Sequence, residues 1–171
     1  MSLVIAAAAV VMQAGTLSMI GIVEAQQDLW FIVPQLPGFL IFMIAAFAEL
    51  QRPPFDMPIA DSELVFGYMT EYTGLRFAFF LLAEYVGIVV IAALTTVLFL
   101  GGWHGPFLPE AWGFVWFLVK LAFLCFVYLW LRWTLPRFRY DQLMAFGWKV
   151  LLPLATINLL LTAAGVLYFG L

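Results

Sequence analysis

The 171-residue chain is 66% apolar and only 10% charged, with seven Lys and Arg against ten Asp and Glu. A soluble domain carries about a quarter charged residues, so the composition points to a bilayer as solvent. The formal net charge of −3 gives a nucleic-acid role no electrostatic support, and the single cysteine, Cys125, excludes an internal disulfide or a cysteine metal site. In chain order, the apolar runs are Leu3–Val23, Leu29–Ala48, Phe77–Trp103 (interrupted only by Glu84), Ala111–Leu131 (interrupted only by Lys120) and Val150–Leu171. About 20 apolar helical residues cross the hydrocarbon core, and unpaired backbone is costly there, so each run predicts a helix rather than an open strand. The first run has no basic segment before it and no obvious cleavage site after it, unlike a signal peptide.

The expected architecture is all-α: a single polytopic membrane domain with spans at about 3–25, 34–51, 75–101, 111–134 and 142–170, and a long acidic loop over 52–74. Proline and glycine punctuate it. Pro34 and Pro37 precede the second span, Pro53 and Pro54 stop it, Gly101-Gly102 ends the third and Pro136 the fourth. Pro153, inside the fifth run, predicts a kink. Asp61-Ser62-Glu63 is a helix-start pattern and predicts a short surface segment running to Tyr72. Arg52 and Arg76 flank one loop and Arg132, Arg137 and Arg139 crowd another, whereas 24–28 and 101–110 contain no Lys or Arg. The positive-inside rule therefore places both basic loops, and the amino terminus, on the cytoplasmic side. Trp103, Trp112, Trp133 and Tyr140 fall where an interfacial aromatic belt belongs.

Between Glu49 and Glu84 lie Glu49, Asp56, Asp61, Glu63, Glu71 and Glu84, six of the ten acids. A solvated loop accounts for Asp61 and Glu63. It does not account for Glu84, which lies roughly 13 Å along the third span, near mid-bilayer. A charge at that depth costs several kcal/mol, desolvation favours the neutral acid, and intramembrane acids are functional by default. Two readings stay open: a proton-relay carboxyl, or a neutral acid that hydrogen-bonds two helices together. Glu49 closes the second span and is the natural link from Glu84 to the loop acids. Lys120 and Lys149 are candidate partners of Glu84 or further relay stations, with Lys149 close enough to a helix end to snorkel. Gln13 reads as a helix–helix hydrogen bonder and Asn158 as a further intramembrane polar group.

Three stretches carry a resemblance: AELQRPPFD (48–56), SELVFGYMTEYTGLRFAFFLLAEY (62–85) and RYDQLMAFGWKVLLPL (139–154). Together they resemble the H-type membrane subunit of respiratory complex I, the proton-pumping NADH:quinone oxidoreductase, along nearly the whole chain. Family members are about twice this long, and the match corresponds to their second half. The resemblance implies a membrane subunit that helps form the quinone chamber and couples quinone reduction to proton translocation. It acts within an enzyme complex in the bacterial plasma membrane or mitochondrial inner membrane, with no catalysis by this chain alone. It places Glu49, Glu84 and Tyr85 on the buried proton path, with Lys120 and Lys149 as candidate stations. It assigns Arg52, Phe55, Asp56, Asp61, Glu63, Glu71, Tyr72 and Phe80 to the chamber and its loop, and Arg137, Arg139, Tyr140 and Asp141 to the loop facing the peripheral arm. The chain binds no cofactor alone: quinone is a substrate at a shared site, and iron–sulfur clusters and FMN belong to partner subunits. The implied partners are the other membrane and peripheral subunits, quinone and the lipid bilayer.

Three positions depart from the family pattern. Ile59 stands where an acid is usual, which removes one carboxylate from the loop, and Asp61 stands where glutamate is, which shortens another; Met69 is a third departure, at a position where a polar residue is common. The alternative readings are the homologous subunit of a membrane-bound hydrogenase, an ion transporter built from broken helices, and a structural scaffold. Paired, symmetry-related helix interruptions, the mark of such a transporter, are not evident in the sequence.

Overall fold

The computed structural model describes residues 1–50, 54–55, 71–105, 112–136 and 138–169. Its described elements are all helical: α1 (Ser2–Ala14), α2 (Met19–Glu24), α3 (Leu36–Glu49), α4 (Leu75–Phe99), α5 (Gly113–Thr134), α6 (Tyr140–Phe146), a π-helical turn (Gly147–Leu151) and α7 (Leu152–Phe169). Three helical stretches are long and apolar enough to cross a membrane: Leu75–Phe99, Gly113–Thr134 and Tyr140–Tyr168.

The expected first span, 3–25, is divided. α1 ends at Gly15, whose φ of 68° is left-handed and whose N–H returns to the Val11 carbonyl, and the chain restarts at Ser18 as α2. The expected second span, 34–51, is helical only over α3, because Pro37 sits in its first turn and residues before Leu36 form turns. At about 20 Å each, α1 and α3 fall short of a 30 Å hydrocarbon core. The predicted kink at Pro153 takes a particular form. Proline lacks an N–H and its ring collides with the carbonyl four residues back. The helix relieves this one turn earlier by widening, with the Leu152 N–H bonding the Gly147 carbonyl, five residues back. The helical stretch therefore runs unbroken from Tyr140, ten residues before the apolar run begins.

α1 packs most extensively on α7 and then on α3. Lipid supplies no hydrophobic force between helices, so small residues that allow close approach matter most. Ala6 and Ala9 of α1 and Ala155 of α7 are buried at this seam. One buried cluster joins Val10, Ile22, Phe31, Phe42, Phe99 and Ala155, with Phe39 and Phe42 each 5.5 Å from the Phe99 ring. A second joins Met43, Phe47, Phe55, Ile88, Leu124 and Tyr128. Threonine hydroxyls within the helices bond their own backbone, Thr95 to the Ile91 carbonyl at 2.7 Å and Thr96 to the Ala92 carbonyl at 2.8 Å, which satisfies them without water.

Loop contacts sort the molecule into two ends. At one, the Phe138 N–H donates to the Pro54 carbonyl at 3.1 Å and the Phe55 and Phe138 rings stack at 5.7 Å, joining the two basic loops. At the other, the Gly101 N–H donates to the Gln26 side chain at 2.9 Å, joining the two loops that lack Lys and Arg in the sequence.

Candidate functional site

The site is built where α3 ends against α4. α3 terminates at Glu49, and the next residue, Leu50, reaches α4 so closely that a Cβ on Gly87 would lie 3.1 Å from its Cδ2 atom. Gly87 and Ile88 follow Glu84 by three and four residues and share its helix face. Ile88 is buried in the second cluster with Met43, Phe47 and Tyr128. Glu84 thus stands half-buried on the face of α4 that turns toward α3, one turn from the Leu50 contact, and it is engaged with a further group. Tyr85, one residue on, is exposed, and the ring of Phe80, one turn before, packs 4.9 Å from that of Tyr72 at a tilt of 53°. Glu49 is exposed at the helix end.

Gly87 permits this approach, which gives a direct test. Gly87→Val is expected to push the end of α3 away from α4. The helix pair should lose stability although no acid is altered, while Gly87→Ala has a smaller effect. Melting curves of the two variants beside the natural protein check this.

Beside the site, a cavity of about 810 Å³ runs along α3 between α5 and the start of α6. Phe39, Met43 and Phe47 form one wall and Phe55, Phe138 and Leu143 close the end nearest the basic loops. Its lining is apolar apart from Gln142, whose Oε1 accepts from the Arg139 N–H at 3.5 Å. Such a channel suits a flat or chain-like apolar molecule, with polar groups only at its mouth.

The structure brings some expected residues together and separates others. Tyr72 meets Phe80, and Phe55 meets Phe138, a residue the sequence reading did not single out. Glu71, Arg139, Tyr140 and Asp141 are exposed at loop or helix ends. Arg52, Asp56, Asp61, Glu63 and Arg137, with the Asp61–Tyr72 segment up to residue 70, lie outside the described residues. Lys149 is exposed in the π-helical turn.

Lys120 is held away from Glu84. It is 7% exposed, and its ammonium donates to the carbonyls of Leu100 at 2.6 Å, Gly102 at 3.1 Å and His104 at 2.5 Å, while lying 4.5 Å from the centre of the Trp30 ring. The Leu100 carbonyl caps α4, about 24 Å of helix rise beyond Glu84, and the other two belong to the turn that follows. Lys120 is therefore not the neighbour of Glu84 that its depth suggested. The cation instead neutralises the carbonyl end of the α4 dipole, where a positive charge is favoured.

Three polar side chains were not singled out by sequence reasoning. Gln26 is fully buried and bonds the Ile22 and Val97 carbonyls and the Phe31 and Gly101 N–H groups. Gln35 joins α3 to α1 and α7. Tyr128 is 1% exposed and its ring lies 4.8 Å from Phe47. Its hydroxyl lies near Thr95, whose own proton goes to Ile91, and makes no hydrogen bond of standard geometry among the described residues. The Gln residues flank apolar runs and look like interfacial loop residues, whereas Tyr128 looks like another aromatic of its span. Only packing across elements reveals them.

These features define an integral, helical membrane protein with a carboxyl-bearing seam between two helices. The chain belongs to the NADH dehydrogenase family, whose model matches residues 1–163. It is 57% identical over 162 residues to the H-type NADH-quinone oxidoreductase subunit of Anoxybacillus flavithermus (strain DSM 21510 / WK1), covering 94% of this chain and 49% of that protein. It is 55% identical over 168 residues to the H-type subunit of the same enzyme in Geobacillus kaustophilus (strain HTA426), covering 98% and 50%. Against the H-type NADH-quinone oxidoreductase subunit numbered 2 in Syntrophobacter fumaroxidans (strain DSM 10017 / MPOB) it is 51% identical over 170 residues, covering 99% and 50%. The chain spans about half the length of the curated relatives it matches.

Proposed function

We propose that this chain forms half of the membrane subunit that joins quinone reduction to proton translocation in an NADH:quinone oxidoreductase. The observation that carries the reading is the seam at which the end of α3, bearing Glu49, meets the Glu84–Ile88 face of α4. Within it, Glu49 and Glu84 take up and release protons, with Tyr85 beside them. The Phe55–Phe138 end of the apolar cavity forms part of the wall that admits the quinone and its hydrocarbon tail.

Reduction of a quinone to quinol consumes two electrons and two protons. The electrons come from an iron–sulfur partner, and the protons are drawn through the acidic loop, which includes Asp56, Asp61, Glu63 and Glu71. Loss of protons from that loop changes the field at Glu49 and then at Glu84, and the perturbation passes on along the membrane. Arg52, Arg137, Arg139, Tyr140 and Asp141 face the peripheral partner, with both basic loops on the cytoplasmic or matrix side.

The names of the relatives favour the quinone enzyme over the homologous subunit of a membrane-bound hydrogenase. Purification of the native complex after gentle detergent extraction tests the choice. A hydrophilic iron–sulfur subunit, FMN and large antiporter-like membrane subunits are expected to remain bound. A nickel–iron centre in the purified complex would overturn the reading.

A further inference from the structure

The apolar cavity along α3 is long and narrow. On α5 its lining runs from Phe123 to Leu135, about 18 Å of helix rise, a little more than one leaflet of a bilayer whose hydrocarbon core is roughly 30 Å thick. Spread over that length, its volume of about 810 Å³ leaves a mean cross-section of about 45 Å². An α-helix with its side chains is about 10 Å across, or roughly 80 Å² in section, and is too wide to enter. A loop would bring backbone N–H and C=O groups against a wall whose polar side chain is Gln142 alone, leaving most of them unpaired. The same wall rejects a polar headgroup. Leu40, Phe123 and Leu135 line the cavity and are exposed, so it opens along its flank. Its interior suits unbranched hydrocarbon.

The rim at Leu135 and Phe138 is cationic. Arg132 lies in the last turn of α5, three residues before Leu135, and its guanidinium sits 5.9 Å from the centre of the Trp133 ring. Arg139 follows Phe138 and is tied to the lining through the bond from its N–H to Gln142. Neither arginine is in an ion pair among the described residues. The acid nearest in sequence is Asp141, in the first turn of α6 and exposed. Trp133 and Tyr140, both exposed here, are side chains of the kind that settle at headgroup level. The occupant must therefore be hydrocarbon within and anionic at the rim. We propose that the cavity holds an anionic phospholipid, with one acyl chain lying between α3 and α5 and the phosphate against Arg132. Arg139 adds to the positive field at the rim, and basic groups at the ends of packed membrane helices hold such headgroups. The acyl chain occupies the body of the cavity, so the site is separate from the outer wall that the Phe55–Phe138 pair offers to quinone.

The test is photocrosslinking of the assembled complex with a phosphatidylglycerol that carries a diazirine in one acyl chain, followed by peptide mapping. Crosslinks are expected on the lining of α3 and α5, at residues such as Met43, Phe47 and Val127. Unlabelled phosphatidylglycerol should displace the probe, with phosphatidylcholine and a long-tailed benzoquinone much weaker competitors. Arg132→Gln is expected to lower the affinity of the probe by about fivefold, the contribution of one basic side chain at an anionic surface. Val127→Trp fills the cavity and should abolish the crosslinks on α3. If that variant does not assemble, Arg132→Gln and the competition series decide alone. Absence of crosslinks from α3 and α5, the result if another protein segment fills the cavity, overturns the proposal. Displacement by the quinone as effective as by phosphatidylglycerol also overturns it and makes the cavity a quinone-tail site. Equal displacement by phosphatidylcholine, or unchanged affinity in Arg132→Gln, overturns it in favour of an unselective lipid contact.

Discussion

Glu84→Gln in the assembled complex is expected to slow proton translocation by on the order of a hundredfold, the lower range for removing a group that transfers a proton. The substitution keeps the size and hydrogen-bonding capacity of the side chain and removes only its acidity. Glu84 stands on the α4 face that carries Gly87 and Ile88, beside Leu50 and the end of α3, and is half-buried and engaged. Because the side chain keeps its size and its hydrogen-bonding capacity, the loss falls on proton exchange rather than on folding. Glu84→Asp shortens the arm by one methylene and should retain a measurable fraction of coupling. Quinone-reductase rate and proton transfer, measured together with a melting curve, check this. A Gln variant that melts normally and pumps normally would assign Glu84 to helix–helix hydrogen bonding alone.

Lys120→Met is expected to have the opposite signature. It leaves the Leu100, Gly102 and His104 carbonyls without their shared donor, at roughly 1–3 kcal/mol for each buried group that finds no replacement. With partial replacement by water, a loss of about 3 kcal/mol lowers the melting temperature of a domain this size by roughly 10 °C. It also frees the α4–α5 connection at the end opposite the acids. In the fraction of complex that still assembles, the ratio of protons moved to quinone reduced should match the natural protein, because Lys120 makes no part of the Glu49–Glu84 seam. Thermal denaturation in lipid nanodiscs and the coupling ratio together decide it. Normal stability with lost coupling would restore Lys120 to the proton path.

The two predictions mark where sequence reading succeeds and where it stops. The helices α4, α5 and the stretch through α7 were legible because each is an apolar run longer than the bilayer is thick, a property of composition alone. The break at Gly15 was not, since hydropathy averages across a Gly-Thr-Leu-Ser step that a left-handed glycine turns into a helix end. Pro153 announced a disturbance, but whether a helix bends or widens to a π turn depends on its neighbours.

For the site, depth could be counted but direction could not. Glu84 and Lys120 sit at similar depths in the sequence, yet the long lysine stem extends to the carbonyl end of α4 while the glutamate lies in the other half of that helix. Gln26, Gln35 and Tyr128 escaped notice because their importance comes from partners far away in the chain. Gln26 bonds Val97 and Gly101, and Gln35 bonds Thr162. No spacing rule reaches across such separations.

Infrared difference spectroscopy of the assembled complex during quinone reduction tests most directly whether Glu84 exchanges protons. A carboxyl carbonyl band that appears or shifts on reduction, moves with deuterium and vanishes in Glu84→Gln is the predicted result. A difference spectrum identical in the natural protein and the Gln variant would contradict it.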